Sequence, residues 1–366
     1  MENIARISSL LSELNLDWAV LSGVDSVCFA TGHQVPIEIG ANPFSGGPTL
    51  AIVGRDGSCG VVCSNTDGVQ IAGVNYELYA GFANAVTNQI GNYHSATERM
   101  IKSLGVSGKI GIERNSFPFL LADILRPDSV NLDVPLARLK AIKTSTELVK
   151  LRLAAQVAAT GQEEARRVSK AGVAELAAFG FIRASMERMA GNRCALTGEY
   201  VTGIERTSTL GSPPVERIMV EGDPVLCDLA PRVDGYWGDS CSAFVIGGQP
   251  TAAYRKLFNA AKETLELAIA ELRPGLRVCD FDAKLRANML GHGYTYPHHS
   301  GHGIGTSVHE YPRLVADETA LFEKNMVIMV EPGSYIPNIG GARCEYMLRV
   351  TSTGSEIMAK FELSCG

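Results

Sequence analysis

Apolar residues recur at helical spacing in the opening stretch "IARISSLLSELN", and the chain then reads as short, densely apolar strands at "DWAVLSG", "TLAIVGRDG" and "SGKIGIER". This alternation predicts an α/β domain over residues 1–138, ending after Pro135. Thr144 and Glu147 then show the T-x-x-E spacing of a capping box ahead of a long amphipathic helix in "ELVKLRLAAQVAATGQEEARR". Helical patterns follow at "VAELAAFGFIRASMERMAG", "AAYRKLFNAAKETLELAIAEL" and "RVCDFDAKLRANMLGHG". Strand-like runs stand among them at "PVLCDLAPRVDGYWGDSCSAFVIG", "NMVIMVEPG" and "ARCEYMLRVTSTG". With no fixed-period repeat, the mixture predicts an α+β second domain over 139–366.

Composition narrows the function. A chain of 366 residues, 46% hydrophobic and 20% charged, can bury a core in each half. Its net charge of −6, spread without a basic run, argues against nucleic acid or an anionic membrane as partner and favours a small peptide or small-molecule substrate. Neither a leader-like N-terminus nor an apolar run of roughly 20 residues is present, so the expectation is a cytoplasmic protein with no membrane partner. The nine cysteines include one close pair, Cys59 and Cys63, without the second pair of a zinc knuckle, and read as reduced, buried thiols.

The candidate chemistry lies in the second half. Four of the seven histidines fall in "PHHSGHGIGTSVHEYPRL", from Pro297 to Leu314. The first half holds only His33 and His94, so its expected role is substrate gating or dimer contact. Asp228 and Asp239 flank Asp234-Gly235, a pairing favoured in tight turns, so a hairpin can bring the two carboxylates together. Alone, each reads as an ordinary strand-end aspartate. Glu331 closes the apolar run "MVIMV", where packing does not explain a charge. In "GARCEYMLRV", period-two alternation puts Arg343, Glu345, Met347 and Arg349 on one face, leaving a salt bridge to either arginine as the plain account of Glu345. Four carboxylates and an imidazole together suit hard or borderline divalent ions: Mn²⁺, Co²⁺, Fe²⁺ or Zn²⁺. "HEYPR" lacks the second histidine of H-E-x-x-H, and "GHGIG" lacks the strand, helix and acidic residue of a dinucleotide site.

In this order and spacing, "EGDPVLCDLAPRVDGYWGD", "GHGIGTSVHEYPR", "VEPGSYIP" and "RCEY" resemble the metal-ligand blocks of the creatinase/methionine aminopeptidase family, whose catalytic domain has the pita-bread fold. The long N-terminal α/β domain, creatinase-type, points to the Xaa-Pro aminopeptidase and prolidase branch. The resemblance implies a pair of divalent metal ions held by Asp228, Asp239, His302, Glu331 and Glu345, with Asp239 and Glu345 bridging. It implies that a metal-bridging hydroxide cleaves a C–N bond of an Xaa-Pro peptide, with Glu331 shuttling the proton and His309 stabilising the oxyanion. The resemblance also implies that His298 stands beside the site among the catalytic and substrate-contacting residues and that Arg313 grips a substrate carboxylate. The family also implies a homodimer. His292 and His299 receive no role and read as packing or exposed residues.

Departures from the family pattern keep an alternative open. Counting back from Asp228 to where the peptidases carry a further histidine reaches Gly211, with none near. Ser242 replaces a usual arginine and Tyr346 a common aspartate, while Arg206 offers a substitute anion contact. These changes fit a hydrolase of a small non-peptide amide or cyclic amidine, of the creatinase or ectoine hydrolase kind. A non-catalytic binding protein on this fold is the remaining reading; such relatives have usually lost ligand positions, and all five are present here.

Overall fold

Strands covered on both faces need no polar side, which is why Trp18–Leu21 and Leu50–Gly54 run almost without interruption through apolar residues. The structure, a computed structural model, describes residues 2–85, 88–125, 129–247 and 249–366. The chain divides into two compact units, Met1–Lys140 and Ala141–Gly366. The first contains α1 (Glu2–Glu13), β1 (Trp18–Leu21), α2 (Val24–Thr31), β2 (Leu50–Gly54), β3 (Cys59–Ser64), β4 (Asn75–Tyr79), α3 (Gln89–Leu104), β5 (Ile110–Ile112), β6 (Val130–Asn131) and α4 (Asp133–Ala141). Its sheet runs β4-β3-β2-β1-β5-β6, antiparallel at β1–β2 and β2–β3 and parallel elsewhere. Alternate strand residues feed two cores. Ala19, Leu21, Ala51 and Val53 join Ile4, Ile7 and Leu11 of α1, whereas Trp18, Val20, Leu50 and Ile52 join Tyr93, Ala96 and Met100 of α3. Pro135, expected to close this part of the chain, instead lies in the first turn of α4, where its missing N–H has no intrahelical acceptor to forgo. His33 is buried, its Nδ1 3.2 Å from the Tyr76 hydroxyl, and His94 pairs with Asp123 at 3.1 Å.

The second unit opens on α5 (Ser145–Val168). Its capping box forms as expected: Glu147 N donates to Thr144 Oγ1 at 3.2 Å and Thr144 N donates to Glu147 Oε2 at 2.9 Å. There follow α6 (Glu175–Ala190), β7 (Ala195–Thr202), α7 (Ile204–Thr207), β8 (Pro224–Val233), β9 (Tyr236–Trp237), β10 (Cys241–Val245), α8 (Ala252–Glu271) and α9 (Val278–Gly291). The remaining strands are β11 (Gly301–Gly303), β12 (Glu310–Arg313), β13 (Val327–Val330), β14 (Gly333–Ile336), β15 (Gly340–Arg343), β16 (Tyr346–Val350) and β17 (Ser355–Ile357). One sheet runs β10-β8-β7, with β9 also on β8; a second runs β12-β11-β13-β16-β17; β14 and β15 form a ribbon.

Two helix pairs cover these sheets. Val225, Cys227 and Leu229 of β8 pack with Ala154 and Val157 of α5 and Ile182 of α6, while Leu226 joins Leu257 of α8 and Phe281 of α9. Asp228 shares the parity of Leu226, so it faces away from α5 and α6. The run expected as one strand from Arg343 to Arg349 is two strands, β15 and β16, interrupted at Cys344–Glu345. Gly301 lets β11 lie close on β13: a Cβ there would stand 1.9 Å from Met329 O. That approach places His302 opposite Met329 and brings Glu331, just past the end of β13, to Ser300 O.

Candidate functional site

The Asp234-Gly235 turn forms with φ of 48° and 82°, both positive, as a two-residue hairpin with matching right-handed twist requires. Behind it β10 pairs β8 with Cys241 opposite Asp228 and Leu229 N donating to Ser240 O. Asp228 and Asp239 are thus diagonal neighbours on one face of the hairpin. The interruption after β15 adds Glu345 to them: its N–H donates to Cys241 O at 3.0 Å. Oxygens of Asp228 and Glu345 lie with Cys241 Sγ within 4.8 Å of one another, as do the donor atoms of Asp239, His302 and Glu345. Glu345 belongs to both groups. His302 Nε2 stands 3.7 Å from Asp239 Oδ2 and 3.7 Å from Glu331 Oε1. All five residues that the sequence groups are therefore neighbours.

Burial sets the electrostatics. Asp239, His302, Glu331 and Glu345 are each at most 9% exposed. Desolvation, reinforced by neighbouring carboxylates, pushes Asp228 up to about 6 and holds Asp239 and Glu345 well above the usual carboxylate range. Burial acts the same way on Glu331, but the hydrogen bond from His299 and the charge of Arg343 outweigh it and hold that carboxyl below its usual value. His302 is lowered to about 4 by desolvation, so it is neutral at pH 7. Its Nδ1 lies 2.9 Å from Gly303 O, which fixes the proton there and leaves the Nε2 lone pair toward the carboxylates.

The plain account of Glu345, a salt bridge to Arg343 or Arg349, is not what forms: Arg343 pairs elsewhere and Arg349 bonds Asn325 and Glu356. Arg343 Nη2 donates to Glu199 Oε1 at 2.8 Å and to Asp228 Oδ2 at 2.5 Å, and Nη1 to the Tyr335 hydroxyl at 2.6 Å. Glu345 Oε2 is left buried with no hydrogen-bond partner among the described residues. Glu199 lies directly across the ladder from Asp228, a like-charge pair that Arg343 makes tolerable. Nothing in the sequence announces Glu199, because its role exists only through that register.

His298 sits with Nε2 3.0 Å from the Tyr335 hydroxyl and Nδ1 4.0 Å from Glu331 Oε2. The His309 ring is 4.1 Å from the His302 ring at 82°, exposed toward solvent. Arg313 is exposed on β12, opposite His302. His299, given no role from sequence, is at the site: its Nε2 is 2.9 Å from Glu331 Oε1, and Arg313 Nε donates to its Nδ1 at 2.8 Å. The position beside His298 was the available signal.

The departures also acquire places. Gly211 is held toward the site through its backbone, its N–H donating to Glu199 Oε2 at 2.8 Å. Ser242 faces α5, donating to Gln162 Oε1 at 2.6 Å, and Tyr346 donates to Phe361 O at 2.6 Å, so neither side chain replaces the expected group at the carboxylates. Arg206 donates from Nη2 to Glu175 at 3.1 Å and to Pro213 O. The cysteines are thiols, buried apart from the half-exposed Cys279.

The family model of metallopeptidase family M24 matches residues 149–352, more than half of the chain and all of the residues just described around the carboxylates. The chain belongs to metallopeptidase family M24. It is thereby a metal-dependent hydrolase, and its second unit has the pita-bread fold. Over its whole length it is similar to the Bacillus subtilis protein YkvY, provisionally named a dipeptidase: 27% identical over 375 residues, covering 99% of this chain and 98% of that one. Among solved structures it is similar to the prolidase of Pyrococcus horikoshii (20% identity, TM-score 0.81, covering 100% of this chain and 99% of that one). It is also similar to the Xaa-Pro dipeptidase of Bacillus anthracis (22% identity, TM-score 0.81, with the same coverage). Among the described residues, no helix is long and apolar enough to cross a membrane.

Proposed function

We propose that this M24 protein hydrolyses the amide bond of small Xaa-Pro peptides, dipeptides foremost, at a centre of two divalent ions. The observation that carries this reading is the buried, unpartnered Glu345 Oε2, within a group of carboxylates whose directly hydrogen-bonded fixed cation, among the described residues, is Arg343. A buried carboxylate wants a cation or a proton, and a donor set of oxygens with one neutral imidazole fits Mn²⁺, Co²⁺, Fe²⁺ or Zn²⁺. Asp228, Asp239, His302, Glu331 and Glu345 would hold the ions, with Asp239 and Glu345 shared. Bound there, the ions would supply a water acidic enough to lose a proton at neutral pH and would polarise the amide carbonyl.

The chain's own groups supply the rest. Glu331 takes the proton of the attacking water and returns it to the leaving nitrogen. His309, exposed at the mouth, donates to the oxygen that gains charge at the attacked carbonyl. Arg313, with both Nη groups unengaged among the described residues, binds the carboxylate of a dipeptide. His298 and Tyr335 brace the Glu331 side of the site. The names of the similar prolidase and Xaa-Pro dipeptidase support the proline preference, and the family supports a homodimer.

The test is hydrolysis of Ala-Pro, Leu-Pro, Xaa-Pro-Xaa tripeptides, creatine and ectoine by chelated protein reconstituted with Mn²⁺, Co²⁺ or Zn²⁺, beside an Asp239→Ala control. Metal-dependent cleavage of an Xaa-Pro bond, absent in the control, is expected. Two bound ions with cleavage only of a non-peptide substrate would transfer the reading to a small amide, and a protein that binds no divalent ion would overturn it.

A further inference from the structure

His299 lies between two residues that the proposed function uses separately. Arg313 Nε is 2.8 Å from His299 Nδ1, and His299 Nε2 is 2.9 Å from Glu331 Oε1. A guanidinium N–H can only donate, so Nδ1 must be the acceptor, and the ring proton must then reside on Nε2. That N–H points at Glu331. The two contacts thus specify one tautomer and one direction: Arg313 donates to His299, which donates to Glu331. The reverse arrangement would leave Nδ1–H facing Arg313 and a lone pair facing a carboxylate, two repulsive contacts for two attractive ones.

We infer that His299 is a positioning residue, a hydrogen-bond relay that ties the carboxylate-binding Arg313 to Glu331 and fixes how Glu331 presents its oxygens to the ions. The inference rests on the proposed function for the role of Glu331. Three features support it. His299 is about as sheltered as Glu331, their side chains being 13% and 11% exposed, so the bond between them is shielded from water. Arg313 spends only Nε on the relay and keeps both Nη groups for a substrate anion. The ring is also flanked by those of His302 and His309, at 5.4 Å and 5.7 Å, which limits its rotation. A substrate carboxylate on Arg313 would therefore be felt at Glu331 through one imidazole. With its Nε2 proton engaged by Glu331, His299 acts on the centre through that carboxylate, although one of its ring nitrogens also lies within 4.8 Å of those of His302 and His309.

Glutamine and phenylalanine substitutions separate this role from packing. The His299→Gln amide can accept from Arg313 and donate to Glu331, whereas His299→Phe keeps the ring and loses both bonds. Zn²⁺ affinity, measured by competition with a chelating indicator, should fall about 10–100-fold in His299→Phe and stay within about threefold in His299→Gln. Arg313→Ala added to His299→Phe should weaken Zn²⁺ no further, since both changes break one relay. Independently of any metal, ¹⁵N NMR of the chelated protein should show His299 protonated at Nε2 and bare at Nδ1. Full affinity in His299→Phe with loss in His299→Gln would overturn the relay in favour of packing, and protonation at Nδ1 would overturn it outright. If wild type binds no Zn²⁺, the two-ion reading fails, while the NMR tautomer still decides the relay.

Discussion

Glu345 is 2% exposed, Asp239 is 7% exposed, and both are held well above the usual carboxylate range by burial and by neighbouring carboxylates, Asp228 and Glu331 among them. Each binds its proton more tightly folded than unfolded, as does Asp228 at about 6. In the chelated protein their contribution is complete below the unfolded value, near pH 4, and is lost as pH rises through the folded values. Burial lowers His298, His302 and His309, which adds stability as pH rises toward their unfolded value of about 6.5, so the carboxylates are isolated only above about pH 7. There the metal-free protein should melt at lower temperature at about pH 8.5 than at about pH 7, and a saturating divalent ion should reverse that order, because ions bind the deprotonated groups. Differential scanning calorimetry across this range checks both signs. Glu345→Gln should raise the metal-free melting point at about pH 8 by about 2–4 °C, by removing a buried charge, and lower metal-dependent turnover by more than about 100-fold. A variant that kept turnover would contradict the role assigned to Glu345.

Among the elements, β11 and β12 carry the histidines, and two features hold them. Gly301 permits the close approach of β11 to Met329 O, so Gly301→Ala must push the strands apart and displace His302 and Glu331 together. The expected outcome is folded protein with reduced metal stoichiometry, measured by elemental analysis after gel filtration. Glu310, next to His309, accepts from Lys143 Nζ at 2.9 Å, with both side chains almost fully buried. Glu310 also accepts from Ser307 N, but removing the lysine takes away the opposite charge of a buried pair, so Lys143→Met should cost about 3–5 kcal/mol in urea unfolding of the second unit. Thr144→Ala removes only the α5 cap and should cost about 1 kcal/mol in the same measurement.

For the whole molecule, the proposed ion centre draws every ligand from Ala141–Gly366, so the stabilisation it confers belongs to that unit. At a free ion concentration about 100-fold above Kd, one site contributes about 2.7 kcal/mol. Chelation should therefore lower the melting transition of the second unit and leave that of the first in place, which a calorimetric trace of the full chain resolves. A uniform shift of both would show that the units do not unfold separately.

Local patterns determined the elements and the identity of the carboxylate and imidazole groups, because their physics is local. The capping box at Thr144, the Asp234-Gly235 turn and the alternation on β8 are each set by neighbours a few residues away. The spacing of Asp228 and Asp239 across a hairpin carries the pair's proximity in itself. Tertiary structure alone decided the partners of those groups. Arg343 turned from Glu345 to Asp228 and Glu199 because β15 ends before Glu345, a break that period-two alternation does not contain. Glu199 reached the site through the β7–β8 register that sets it opposite Asp228, and His299 through the fold that sets β12 beside β11. Which buried charge meets which cation depends on the distances between strands far apart in sequence, and those distances exist only in the folded chain.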